Sequence, residues 1–277
     1  MGVVIGLDIG GSTTKIVGLR DGEIVAPLLV KATDPVASAF GALGKYLSLN
    51  GLDLGRIERV MATGVGASFL RGPLLGLRTY RVPEFLAIGL GGLRLSGERD
   101  AVVVSMGTGT AFVKADAKGI RHIGGTGVGG GTLLGLANRM LNIRDFDMVV
   151  ELAAQGDLAN VDLMIGDITC DAIPGLPTTA TASNFGRLSD AARREDIALG
   201  IVNLVFQTIG VMAILVTRDG TPMRVVLTGN LTTVPQARPI FQGLSELYAT
   251  DFLIPDDAEY ATGIGAALCS PEQGVAT

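Results

Sequence analysis

The chain has 277 residues, 48% of them hydrophobic, enough to bury one large domain or two packed lobes, which excludes a disordered scaffold. Its formal net charge is -5 and no run of lysines and arginines offers a phosphate-neutralising surface, so no nucleic-acid partner is expected. Apolar stretches read as interrupted by Gly, Asp or Arg before the roughly 20 residues that span a bilayer, so no membrane partner is expected and the location reads as cytoplasmic.

The elements follow in chain order. Val3 to Leu7 is an apolar strand, Asp8 to Ser12 a turn with two glycines, and Thr14 to Leu19 an alternating second strand. Asp21-Gly22 closes a hairpin into a third strand, Glu23 to Val30. Asp34 caps a helix to Leu49; strands follow at Ile57 to Ala62 and Leu77 to Val82, then a helix from Glu84 to Leu95. At Ala101 the pattern restarts with a strand to Ser105, the turn Gly107-Thr108-Gly109, a strand from Thr110 to Ala115, and a third from Ile120 to Gly124. This repetition predicts a duplicated α/β fold, with one lobe over residues 1–98 and a second over 99–277. Helices are expected at Leu133 to Leu141 and Asp145 to Gln155, then a Pro- and Gly-rich loop from Gly166 to Arg187 and a long apolar helix from Ser189 to Thr217. A strand at Arg224 to Leu227, a helix after Pro235, a short strand at Phe252 to Ile254 and a helix opening after Gly263 complete the pattern, with a frayed tail from Pro271.

The 40 glycines cluster at turns, and the turns carry the chemistry. In Asp8-Ile9-Gly10-Gly11-Ser12-Thr13-Thr14-Lys15, backbone amides bared by Gly10 and Gly11, the Ser12 hydroxyl and the Lys15 charge suit phosphate oxygens, and Asp8 suits magnesium directly or through water. One such turn reads equally as a tight hairpin; a second, Ser105 to Thr110, places Thr108 and Gly109 to hold the same polyphosphate from the opposite wall. The loop Gly124 to Thr132, with Gly129, Gly130 and Gly131 before a helix, is read as a phosphate cradle in preference to a hinge. Glu84, at a strand-to-helix junction, is either a first-turn carboxylate stabilising the helix dipole or a base facing the cleft. Of Arg121 and His122, neighbours on a strand, only one can face the cleft. Thr228-Gly229-Asn230 and Gly263 to Ala267 offer surface free of side chains, for a purine or for close packing. Cys170 and Cys269 lie far apart without ligand-type neighbours, so neither a disulfide nor a metal–sulfur site is expected.

These motifs together resemble the type II pantothenate kinases, through DIGGSTTK at Asp8 to Lys15, ATGVGA at Ala62 to Ala67, EFLAIGLGGL at Glu84 to Leu93 and MGTGTA at Met106 to Ala111. The resemblance continues with GGTGVGGGTLLGL at Gly124 to Leu136, ASNFG at Ala182 to Gly186 and LTGN at Leu227 to Asn230. It implies two ribonuclease-H-like lobes with an interlobe nucleotide cleft (the actin-like ATPase fold), ATP and magnesium as cofactors, and phosphorylation of a small-molecule substrate, pantothenate, as the first step of coenzyme A synthesis. It further implies a homodimer with a long helix at its interface. Carried over by motif, Glu84 corresponds to the catalytic glutamate, and Asp8, Gly10, Gly11, Lys15, Thr108 and Gly109 to the phosphate-holding turns. Gly229 and Asn230 correspond to the nucleotide end, and Thr181 and Ala182 to a segment reaching the partner's substrate site. Two positions depart from the pattern: His122, with Arg121 beside it, stands where an arginine contacts substrate and phosphoryl group, and Ala111 stands where a serine contacts substrate. Two other readings share the opening turn: an ATPase switch like the activators of radical dehydratases, and a non-catalytic nucleotide-binding regulator.

Overall fold

Every residue of β1 (Val3–Ile9) is buried, so this strand has covering layers on both faces and anchors its sheet from the centre. In the computed structural model, which describes residues 2–31, 34–171, 173–218 and 223–277, β1 pairs antiparallel with β2 (Thr13–Arg20), and β2 with β3 (Glu23–Lys31). After α1 (Pro35–Asn50), whose first turn is capped by the Asp34 carboxylate, β4 (Ile57–Thr63) lies parallel to β1, and β5 (Thr79–Arg81) parallel to β4. A helix, α2 (Glu84–Ser96), then leads to the second sheet.

There β6 (Ala101–Met106), β7 (Thr110–Asp116) and β8 (Gly119–Thr126) repeat the antiparallel meander. Next come α3 (Gly130–Leu141), α4 (Phe146–Ala153), the short hairpin β9 (Leu163–Met164) and β10 (Thr181–Ser183) with the single turn α5 (Ile165–Ile168) between its strands, and the long α6 (Arg194–Thr217). β11 (Arg224–Thr228) lies parallel to β6, and after α7 (Ala237–Tyr248), β12 (Phe252–Leu253) lies parallel to β11. The strand orders β3-β2-β1-β4-β5 and β8-β7-β6-β11-β12 are the same, so the duplication read from the glycine hairpins extends to each whole sheet.

The chain closes with α8 (Ala261–Leu268) and β13 (Val275–Ala276), and here the expected lobe limits need correcting. β13 adds to the edge of the first sheet beside β5, and α8 packs on β1, β2 and β4, so the last residues return to the first lobe, and the tail predicted to fray is paired. The physical cause is glycine. A Cβ at Gly6 would lie 2.0 Å from the Gly263 carbonyl oxygen, one at Gly91 1.8 Å from that of Ala261, and one at Gly265 1.8 Å from that of Ala87. Backbone therefore presses on backbone where α8 crosses β1 and α2. Ala87, Ile264, Ala266 and Ala267 fill the core against the first sheet, and Ile88 joins Val103, Val113 and Val226 against the second. The α2–α8 pair is thus the middle layer between the two sheets.

Outside this layer, Ala39, Leu43 and Tyr46 of α1 cover the first sheet, and α3, α4, α6 and α7 cover the second. Helix α6 starts at Arg194, five residues later than predicted, where Asp196 accepts hydrogen bonds from Arg193, from the Asp157 amide and from Asn160. These donors, Arg193 first, hold the Asp196 carboxyl well below the usual carboxylate range. Among the described residues, α6 alone is long and apolar enough to cross a membrane, with a mean hydropathy of 2.2 over its most apolar window. Gly200 and Gly210 do not interrupt it, contrary to the expectation. Gly210 lies against Leu244 of α7 and Gly200 against Val161, so both serve close packing inside the core.

Candidate active site

The two glycine turns close the same β-hairpin in each sheet: Ile9 pairs with Thr14 around the first, and Met106 with Thr110 around the second. Each is drawn tight by its own backbone, Gly10 N–H donating to the Thr13 carbonyl at 3.0 Å and Gly107 N–H to that of Gly109 at 2.9 Å. Their tips face each other across the cleft. A Cβ at Gly11 would sit 3.6 Å from the Thr108 hydroxyl oxygen, and Gly11, Ser12 and Thr108 are all exposed there.

One step below the first turn, Asp8 sits opposite Lys15 in the β1–β2 register, with Nζ 3.9 Å from Oδ2 and both side chains nearly covered. Burial pushes the Asp8 carboxyl above its ordinary value, and the Lys15 ammonium pulls the other way. Gly64, which the sequence reading left without a role inside ATGVGA, lies against this carboxylate. Its φ of 85° and a would-be Cβ 2.6 Å from Asp8 Oδ1 both require glycine. The matching positions in the second hairpin are Ser105 and Ala111, so the duplicated frame carries charge on one wall only.

Glu84 opens α2 behind Pro83 and is half-buried. Burial first, then the negative charge of Asp8, raises its proton affinity, so the two carboxylates act on one another electrostatically. Asp8 takes no hydrogen bond from the described residues; a buried carboxylate so placed, with its cation at 3.9 Å, fits a hard oxygen-seeking ion that keeps most of its water, as magnesium does.

The triple glycine has a different job from the one predicted. Gly130 N–H donates to the Gly107 carbonyl and Gly131 N–H to that of Thr108, each at 2.9 Å, while Gly129 N–H donates to the Thr132 hydroxyl at 3.3 Å. These amides are engaged within the protein and do not form an open phosphate cradle. A Cβ at Gly129 would lie 2.6 Å from the Thr108 carbonyl oxygen, so the glycines let the start of α3 buttress the second turn from behind. Gly229 does the same from β11: its φ is 89°, and a Cβ there would meet the Met106 backbone at 2.6 Å, which sets Asn230 beside the second turn. Gly263 and Gly265 lie inside α8 and serve the helix crossing.

Of the strand pair, His122 faces α2, where its ring stacks on Phe85; Arg121 turns to the other side and pairs with Asp116 at 2.8 Å. Ala111 packs among Ile88, Val103 and Val113. Thr181 and Ala182 belong to the β9–β10 hairpin and not to these turns. The Thr181 hydroxyl is tied to Asp162, whose fully buried carboxylate also accepts from Asn203 at 2.8 Å, Asn184 at 3.1 Å and the Phe185 amide at 2.9 Å. Asp162→Ala strands these donors and is expected to cost about 3 kcal/mol in urea unfolding. Faster proteolysis between residues 166 and 187 should accompany it; an unchanged midpoint would contradict the anchoring role. Cys269 is sealed in the core, where burial pushes its thiol up to about 11, and Cys170 is exposed, so the two do not form a matched pair of cluster ligands.

The Fumble family model matches residues 100–244, more than half of the chain. A protein of Oceanobacillus iheyensis named type II pantothenate kinase is 29% identical over 278 residues, covering 96% of this chain and 99% of its own. Among solved structures, the activator of 2-hydroxyisocaproyl-CoA dehydratase from Clostridium difficile with bound ADPNP superposes with a TM-score of 0.70 at 21% identity, covering 96% of this chain and 93% of that one. A ROK family glucokinase from Streptomyces griseus, in complex with glucose and AMPPNP, gives 0.62 at 15% identity, covering 96% and 98%. The last two show the actin-like ATPase fold and no more; the family match, with the relative from Oceanobacillus iheyensis beside it, makes the chain a type II pantothenate kinase-like member of the Fumble family.

Proposed function

We propose that this chain is an ATP-dependent kinase that phosphorylates the primary hydroxyl of pantothenate, or of a pantothenate-like alcohol, as the first step of coenzyme A biosynthesis in the cytoplasm. The observation that carries the reading is the approach of Gly11 to the Thr108 hydroxyl across the cleft, above a floor made by Asp8, Lys15 and Glu84. In this reading the backbone amides of Gly11 and Ser12, those of Thr108 and Gly109, and the Ser12 and Thr108 hydroxyls take the phosphates from both sides, while Gly10, whose own amide is spent on the Thr13 carbonyl, tightens the turn. Lys15 lends a positive charge, and Gly229 and Asn230 border the nucleoside end. Magnesium, when bound, neutralises phosphate charge, and Asp8 is the residue that would hold it.

Glu84 is then the general base. Its carboxylate accepts the hydroxyl proton as the substrate oxygen attacks the γ-phosphorus, and its raised proton affinity makes it a better acceptor than an ordinary glutamate. Activity falls as pH drops through that raised value, because the protonated form cannot accept. A homodimer through α6 is part of the proposal, supported by the exposed Val211 and Leu215, which share a helical stripe with Leu204 and Thr208.

ADP release across pantothenate, pantetheine and simple sugars tests the activity; nucleotide binding without ADP release from any alcohol would overturn it in favour of a regulator. Lys15→Ala is expected to weaken ATP binding about 10- to 100-fold, the range for losing a charge-assisted contact. An unchanged titration would remove Lys15 from the phosphate site.

A further inference from the structure

Phe85 and His122 belong to the two halves of the duplicated frame and meet beside the second hairpin, where a Cβ on Gly125, the partner of Ala111, would lie 3.7 Å from His122 Nε2. Their rings lie 4.0 Å apart between centroids, with planes 11° from parallel. Phe85 directly follows Glu84, so the stack starts one residue from the proposed base, and both rings keep solvent contact. The strand fixes which side chain takes this place. Ile120 packs under α2, where a Cβ on Gly89 would lie 2.5 Å from its Cγ2, and His122, two residues on, emerges on the same face. Arg121 is thereby turned away and held by Asp116.

The electrostatics of the wall follow. The charge acting on Glu84 is that of Asp8, and Lys15, the cation of the floor, is matched by Asp8. A substrate running from Glu84 along this wall meets two rings whose inner faces cover one another, so only their outer faces and edges are open to it, and beside them the carboxylates of Glu84 and Asp8. A guanidinium at position 122 would offer a bidentate fork to a carboxylate; the two ring nitrogens of a stacked imidazole point in different directions within the ring plane and form no such fork.

We propose that the Phe85–His122 stack is the specificity-determining wall for the acceptor alcohol, selecting a chain that ends in a neutral amide or thiol over one that ends in a carboxylate. This rests on the kinase reading above. The neutral chain packs against the outer surface of the stack and loses little on leaving water, whereas a carboxylate loses its hydration without gaining a guanidinium partner at position 122.

The test compares kcat/KM for ADP release with pantetheine and with pantothenate, on the full-length protein and on His122→Arg and Phe85→Leu. The unaltered protein is expected to favour pantetheine about 10-fold or more, and His122→Arg to move the ratio toward pantothenate by about 10- to 100-fold, mostly through KM. Phe85→Leu keeps apolar bulk but removes the stack, and narrows the preference. A native preference for pantothenate, or a ratio untouched by both substitutions, would overturn the wall and leave the kinase reading intact. No ADP release with either alcohol would overturn the kinase reading, and the wall with it.

Discussion

Glu84→Gln is expected to lower the rate of phosphoryl transfer by about 10²- to 10⁴-fold while nucleotide still binds, because the amide keeps the shape of the side chain but cannot accept a proton. The same substitution is expected to leave the melting temperature equal to or above that of the unaltered protein. The sign follows from the raised proton affinity of Glu84: a carboxyl that holds its proton more tightly when folded than when unfolded makes its ionised form a cost to the fold at neutral pH. Burial supplies most of that cost and the Asp8 charge the rest, and glutamine removes both. A variant that is inactive and no less stable is the signature of a group retained for chemistry. A variant that turns over at the native rate would take Glu84 out of the base role.

Gly91→Ala, with Gly265→Ala, is expected to be one of the two most damaging single methyls in the chain's middle layer. Its Cβ would lie 1.8 Å from the Ala261 carbonyl oxygen, a rigid backbone atom, and the clash can be relieved only by separating α2 from α8. Both helices are committed to sheets on their far sides, so there is nowhere to move without opening the cores around Ala87, Ile88 and Ile264. A loss of about 3 kcal/mol or more is expected, a fall of roughly 10 °C in the melting temperature. The control is Gly135→Ala on α3, where a Cβ meets nothing within 4 Å and helix propensity should raise stability by up to about 1 kcal/mol. Equal stability for the two variants would contradict the backbone-to-backbone packing of α2 on α8.

What could be read beforehand and what could not divide along physical lines. The paired hairpins were legible because an apolar strand, a glycine turn and an alternating strand are local patterns, and the structure extends the repeat to both sheets. The side of the strand taken by His122 was legible only as an either-or, since alternation sets Arg121 against His122 but their partners, Asp116 and Phe85, lie elsewhere in the chain. The triple glycine was misread because a run of glycines exposes amides and permits close approach in equal measure. Gly130 and Gly131 spend their amides on the carbonyls of Gly107 and Thr108, a pairing that no one-dimensional spacing reveals. Gly64 and Phe85 went unassigned for the same reason: what each does is defined by a neighbour, Asp8 and His122, distant in sequence. The return of Val275–Ala276 to the first sheet was illegible because a two-residue strand carries no periodicity.

The central claim is that both glycine turns grip one triphosphate. It is tested most directly by calorimetric titration of magnesium AMPPNP into the native protein, Gly11→Val on the first wall and Thr108→Val on the second. The account predicts that each substitution alone weakens binding about 10-fold or more. Native affinity in either variant would mean that one turn does not touch the nucleotide, and the shared grip would be contradicted.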